Sequence, residues 1–272
     1  MPHKFYMMFK TIILSLIGVC LSIPALGETF DRIAQAEILQ GWRNIDGSHT
    51  AALRITLKPG WKTYWRAPGD SGIPPRIDWF GSRNFSEAKI EWPTPEVFQQ
   101  NGMRSIGYTD ELILPIQVQP RTKNRSIRLK AVLDIGVCRD ICVPQQLTVK
   151  ADLPKRGKRD ARIAAALADR PLTMVEAGVT NVKCSVSATA DGLLLTSIIK
   201  MPSMGPKEIA IVEIDNPQIW VGEGEIRRSG GILTAQTELQ HVEGLPFLLD
   251  RSSLRFTVLG KKSAVDIRGC AN

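Results

Sequence analysis

Apolar and polar positions alternate with a period of two along most of the chain, and this alternation predicts strands. Leu53, Ile55 and Leu57 are separated by Arg54, Thr56 and Lys58. Ile127, Leu129, Ala131, Leu133, Ile135 and Val137 form a longer run with mostly polar neighbours, and Leu147, Val149 and Ala151 repeat the pattern. Alternation places every second side chain on one face, so each run reads as a strand with one face on a core. Glu111–Val118 is a further strand candidate. Turn signals separate these runs at Pro59-Gly60, Pro68-Gly69-Asp70, Gly72 to Pro75 and Pro93 to Pro95. The pattern returns at Leu193–Ile199, Glu208–Ile214, Ser253–Leu259 and Ala264–Ile267, punctuated by Gly192, Pro202 to Pro206, Gly230-Gly231 and Gly260. No heptad pattern and no short internal repeat interrupts it.

Between the two sets of strands the composition shifts. Pro154 to Arg159 is basic and contains Pro and Gly, and Ala161 to Arg170 is Ala-rich and ends at Pro171. This predicts one short helix from Arg159 to Asp169, with its charges read as a solvated linker rather than a docking patch. The predicted fold class is all-β, with two immunoglobulin-like β-sandwich domains at 28–153 and 172–272 joined by a basic linker, 154–171, carrying the helix.

The N-terminus has a different pattern. Lys4 and Lys10 precede an apolar stretch from Ile12 to Pro24, and Ala25-Leu26-Gly27 is a small-x-small cleavage signal. Residues 1–27 therefore read as a secretory signal peptide removed on export. The apolar run is short for a membrane span, which needs about 20 residues. Val19 before Cys20 argues against lipidation.

Export changes both charge and cysteine arithmetic. The chain of 272 residues has 35 basic and 27 acidic residues. Loss of Lys4 and Lys10 leaves 33 basic residues and a net charge of +6. The cations are mostly scattered, so the charge reads as solubility and no nucleic-acid partner is expected. Only three His are present, which argues against a multi-histidine metal site, and no cofactor is expected. Loss of Cys20 leaves Cys138, Cys142, Cys184 and Cys270, an even count that in an oxidising compartment suggests two disulfides.

Cys138 and Cys142 lie at the end of a predicted strand, in Gly136-Val137-Cys138-Arg139-Asp140-Ile141-Cys142-Val143-Pro144. Four residues of continuous strand span roughly 13 Å, whereas a disulfide needs Cα atoms about 4.4–6.8 Å apart. The chain must therefore fold back between them, as a turn or a single helical turn, and Pro144 blocks extension into a helix. Loop-closure entropy favours such a five-residue loop by about 2 kcal/mol, and the loop that Cys184–Cys270 would close by about 4.6 kcal/mol. The expectation is a labile, exchangeable 138–142 bond and a structural 184–270 bond. Arg139 would favour a thiolate beside it and Asp140 would oppose one. A plain structural staple, half of a zinc site and a two-thiolate copper site are the competing readings of the pair.

With those residues in view, the chain resembles a known family. Leu57-Lys58-Pro59-Gly60-Trp61-Lys62-Thr63-Tyr64-Trp65-Arg66-Ala67-Pro68-Gly69-Asp70-Ser71-Gly72-Ile73-Pro74-Pro75 is similar to the N-terminal periplasmic domain of DsbD-type thiol–disulfide interchange proteins, with the flavour of the ScsB branch. So are Ile90-Glu91-Trp92-Pro93, Gly107-Tyr108 to Leu114-Pro115, and Val137 to Pro144. The order and approximate spacing agree over residues 40–153, and the match is less clear over 172–272. The resemblance implies an immunoglobulin-like module in the periplasm. Its Cys138 and Cys142 would take electrons from a membrane-embedded donor of DsbD/ScsB type and pass them to periplasmic thioredoxin-like proteins, in envelope electron transfer of the kind used in cytochrome c biogenesis. It implies that Tyr64 lies beside the pair and that the segment around Phe98 forms a cap loop over it. No membrane domain or thioredoxin-like domain follows before Asn272, so the donor is expected to be a separate protein.

Trp61, Tyr64 and Trp65 could line the sulfurs or belong to a sandwich core with Trp79 and Trp92. The candidate site comprises Cys138 and Cys142, lined by Tyr64, Trp65, Phe98, Arg139 and Asp140. Two other functions remain open: a non-catalytic envelope binding or assembly module, and copper handling by the same pair.

Overall fold

A computed structural model describes residues 33–69, 72–100 and 102–271; the segment read as an export signal lies outside them. Ten strands come first: β1 (Ala34–Arg43), β2 (His49–Leu57), β3 (Lys62–Tyr64), β4 (Arg76–Asp78), β5 (Glu87–Ile90), β6 (Glu96–Gln100), β7 (Met103–Thr109), β8 (Glu111–Gln119), β9 (Ile127–Cys138) and β10 (Cys142–Leu153). They form two sheets, β1-β2-β8-β5 and β10-β9-β3-β7-β6, the latter with β4 added against β9. A helix, α1 (Ala161–Ala168), follows. The remaining strands are β11 (Leu172–Thr173), β12 (Asn181–Ala188), β13 (Leu193–Lys200), β14 (Ile209–Glu213), β15 (Ile219–Val221), β16 (Glu225–Ser229), β17 (Ile232–His241), β18 (Arg255–Leu259) and β19 (Ala264–Arg268). They build the sheets β11-β19-β18-β14 and β12-β13-β17-β15, with β16 also on β17. The fold is all-β and immunoglobulin-like.

The long hairpin β9–β10 follows directly from the alternation. Ile127, Leu129, Ala131, Leu133, Ile135 and Val137 are all buried in apolar clusters, each contributing about 1.5–3 kcal/mol relative to exposure. The intervening Arg128, Lys130, Val132 and Asp134 point to the other face and are at least partly exposed. The register runs unbroken from Ile127 opposite Leu153 to Cys138 opposite Cys142. The fold-back between the cysteines is therefore a three-residue hairpin turn, Arg139 to Ile141, and not a helical turn.

Two segments differ from the sequence reading. β1 was not anticipated because its register slips between Leu39 and Trp42. Such a bulge throws the period-two pattern out of phase. Around α1 the charges are solvated as expected, but one apolar side of the helix is packed. Asp160 caps the helix by accepting a hydrogen bond from the Arg162 N–H, and Ile163 is wholly buried against Leu39 and Ala52. Arg43 and Lys158 extend this docking through main-chain bonds to Arg156 and Gly41. The helix follows its apolar side onto the outer face of the β1-β2-β8 sheet, and its Arg and Asp residues stay on the wet side.

Residues 33–271 lie within one compact unit. Ile211, Leu259 and Ala264 of the later strands join the same apolar cluster as Trp61, Trp65 and Tyr108. Beside it, Arg66 forms a two-pronged ion pair with Glu213, both bonds 2.9 Å, and a hydrogen bond to the Thr257 hydroxyl at 3.1 Å. Among the described residues no helix is long and apolar enough to cross a membrane.

Candidate redox site

Cys138 ends an interior strand and Cys142 begins an edge strand, and this position sets their environments. β9 is flanked by β10 on one side and β3 on the other, so Cys138 has Cys142 and Lys62 as its two lateral neighbours. The two cysteines are bonded, with Cα atoms 4.1 Å apart. Cys138 is 2% exposed, while Cys142 is exposed and Ile141 beside it is 54% exposed. Cys138 belongs to the outward-facing phase of β9, so a cover over that face must bury it.

Tyr64 is the centre of that cover. It stands two residues after Lys62 on β3 and shares its face. Its hydroxyl donates a hydrogen bond to Cys138 Sγ at 2.8 Å and lies 3.4 Å from Cys142 Sγ. The ring needs a groove in the sheet surface, and Gly136 provides it. A Cβ at 136 would sit 2.7 Å from Ile73 Cβ and 3.2 Å from Tyr64 Cδ2. A Cβ at Gly72 would come within 2.9 Å of Tyr64 Cδ1. The strand is tied beneath the ring by Thr63, whose hydroxyl donates to the Gly136 carbonyl at 3.0 Å. Burial pushes the Tyr64 phenol above its ordinary pKa, so it remains a donor at physiological pH.

These residues with the bonded pair match a family profile described as "Thiol:disulfide interchange protein DsbD, N-terminal" over residues 35–154. The match spans the ten strands of the first two sheets and stops before α1. Across both sandwiches the fold is similar to the crystal structure of the N-terminal periplasmic domain of ScsB from Proteus mirabilis. That likeness has a TM-score of 0.61 at 22% identity, covering 86% of this chain and 90% of that one. No curated protein matches the sequence.

The remaining expected site residues fall into three groups. Arg139 and Asp140 form the turn and pair with each other at 3.0 Å. The Arg139 guanidinium also lies 5.3 Å from the centre of the buried Trp61 ring, which anchors the turn from below. Both charged groups are exposed, so water and salt screen their opposing influence on the sulfurs. Phe98 lies on β6, opposite Ser105 of β7. The expected cap loop is thus a two-stranded hairpin, because Glu96–Gln100 and Met103–Thr109 satisfy their main-chain groups by pairing. Lys62 connects this hairpin to the pair, its ammonium 5.1 Å from the Phe98 ring centre and 3.2 Å from Ser105 Oγ. Burial lowers the Lys62 pKa from its ordinary value.

Trp65 does not join the site. Adjacent residues on an extended chain point to opposite faces, so when Tyr64 covers the sulfurs Trp65 enters the core, where it is wholly buried. Arg66 lies 3.9 Å from its ring centre. Trp79 and Trp92 pack at the margin of the same cluster, partly buried.

Cys184 and Cys270 form the second disulfide, 86 residues apart, with Cys184 buried on β12. Among the described residues no group of three or more His, Cys, Asp or Glu could hold a metal ion. Lys62, Gly72 and Ile73 carry no local pattern that marks them as site residues. Gly136 did carry a signal, since a glycine in the polar phase of a long strand marks a close approach from above.

Proposed function

We propose that the chain is an exported thiol–disulfide exchange module of the periplasm. It relays reducing equivalents from a membrane-embedded donor to thioredoxin-like proteins through Cys138 and Cys142, with Cys184–Cys270 as a structural bond in a second sandwich domain. The observation that carries this reading is the unequal exposure of two bonded cysteines in a DsbD-type domain. An exposed sulfur at a sheet edge can be reached by a partner thiolate, and a buried sulfur behind it can only leave or return. The partner thiolate attacks Cys142 Sγ, the 138–142 bond breaks, and its electron pair goes to Cys138. A second partner thiol then resolves the mixed disulfide and leaves this pair reduced. With an oxidised acceptor the steps run in reverse, Cys142 attacking and Cys138 resolving.

Trapping tests the assignment. A Cys138→Ser variant in periplasmic extract should accumulate mixed disulfides through Cys142 with thioredoxin-like or membrane proteins, whereas Cys142→Ser should accumulate few. Equal trapping by both variants would reverse or abolish the roles, and no trapping by either would remove the exchange function.

A further inference from the structure

We propose that the Tyr64 hydroxyl is the donor that receives the negative charge released on Cys138 each time the 138–142 bond is opened at Cys142. The inference rests on the exchange reading above only for the direction of attack. A thiolate that bonds to Cys142 Sγ expels Cys138 as a thiolate, so one sulfur–sulfur bond forms, one breaks, and the charge moves from the incoming sulfur to Cys138. No proton is transferred in that step. The charge appears on a sulfur that is 2% exposed, and burial disfavours a thiolate. Without a donor, Cys138 would be a poor leaving group.

The donor is already in place in the oxidised pair. Tyr64 Oη is 2.8 Å from Cys138 Sγ and 3.4 Å from Cys142 Sγ. A disulfide sulfur is a weak acceptor and a thiolate a strong one. The same hydrogen bond therefore strengthens as the bond breaks, which stabilises the transition state more than the ground state. The backbone at Gly136 and Gly72 lies close against the ring, so little reorganisation is needed. Of the neighbouring charges, Arg139 pairs with Asp140 and lies over Trp61, and the Lys62 ammonium meets Ser105 and Phe98. In the opposite direction the same bond holds the Cys138 thiolate in position to attack Cys142 in a mixed disulfide.

The test isolates Cys138 in the exported protein by Cys142→Ala, with the 184–270 disulfide intact, and follows thiolate absorbance against pH. Adding Tyr64→Phe keeps the ring and removes the donor. It should raise the Cys138 pKa by about one unit or more, a roughly tenfold loss of thiolate at fixed pH. An unchanged pKa would overturn the proposal. Should the double variant not fold, Tyr64→Phe alone should slow opening of the disulfide by glutathione about threefold or more, and an unchanged rate would equally overturn it. These readouts need no physiological partner. A shifted pKa without any trapped partner would support this role for Tyr64 and remove only the relay.

Discussion

His49 illustrates how burial alone decides a residue's behaviour. It is wholly buried on β2, its Nε2–H donates to the Gln40 carbonyl at 2.6 Å, and Nδ1 has no partner among the described residues. Desolvation, its largest influence, lowers its pKa below the ordinary value of 6.5. The unfolded chain protonates this ring near pH 6.5, while the folded chain resists protonation until lower pH. Between those two values the unfolded state binds more protons, so stability is full above the unfolded pKa and falls as pH drops toward the folded one. The slope can reach about 1.4 kcal/mol per pH unit. Urea unfolding of wild type and His49→Gln between about pH 7 and 5 should show a steeper loss for wild type. Parallel curves would mean that His49 does not titrate on unfolding. Exposed carboxylates act in a different window. Glu176, held at about 2 chiefly by its bonds to Arg170 and also by Thr173, loses its contribution only as pH falls below its ordinary range.

At the scale of elements, the β6–β7 hairpin lies at the end of its sheet, where the resemblance implies a cap. β6 is the last strand of its sheet and pairs only with β7. Phe98 on it is half-buried and faces the Lys62 ammonium, an interaction that contributes about 0.5–1 kcal/mol at exposed sites. Phe98→Ala should therefore lower unfolding free energy by no more than about 1–2 kcal/mol. It should also speed alkylation of the reduced cysteines by a bulky maleimide, measured by mass shift against time. Unchanged alkylation combined with a loss of several kcal/mol would make Phe98 a core residue and not a cap. Tyr64 and Gly136 belong to the central strands of that sheet, whereas Phe98 lies at its margin.

Across the whole molecule, the two sandwiches meet through one shared cluster and an ionic junction. Arg66 is 13% exposed and Glu213 19%, joined by two bonds of 2.9 Å, with Arg255 and Asp266 paired alongside. Arg66 follows Trp65, which follows Tyr64, so three successive residues serve the second sandwich, the core and the sulfurs. Removing one partner of a buried pair typically costs about 3–5 kcal/mol, and here Arg255, 3.8 Å from Glu213, remains as a weaker partner. Arg66→Ala should lower the unfolding free energy by up to that order, and Arg66→Lys should recover only part of it because a lysine cannot form the two-pronged contact. Wild-type stability in Arg66→Ala would show that the junction contributes nothing net.

The sequence by itself determined the strand faces, the fold class and the sulfur pair. Alternation in β9 and β10 dictates which side chains enter the core whatever surrounds them, and two cysteines four apart at a strand end must fold back to meet. The resemblance also drew attention to Tyr64. Only the tertiary structure decided which cysteine is covered, because that depends on β9 being interior and β10 lying at the edge. It also decided that Tyr64 rather than Trp65 faces the sulfurs, since each extended residue reverses the side-chain direction and the phase is set by pairing with β7 and β9. The packing of α1 and the Arg66 junction were hidden for a related reason. Local patterning records that a residue has an apolar or charged side, but the partner it meets comes from a distant part of the chain.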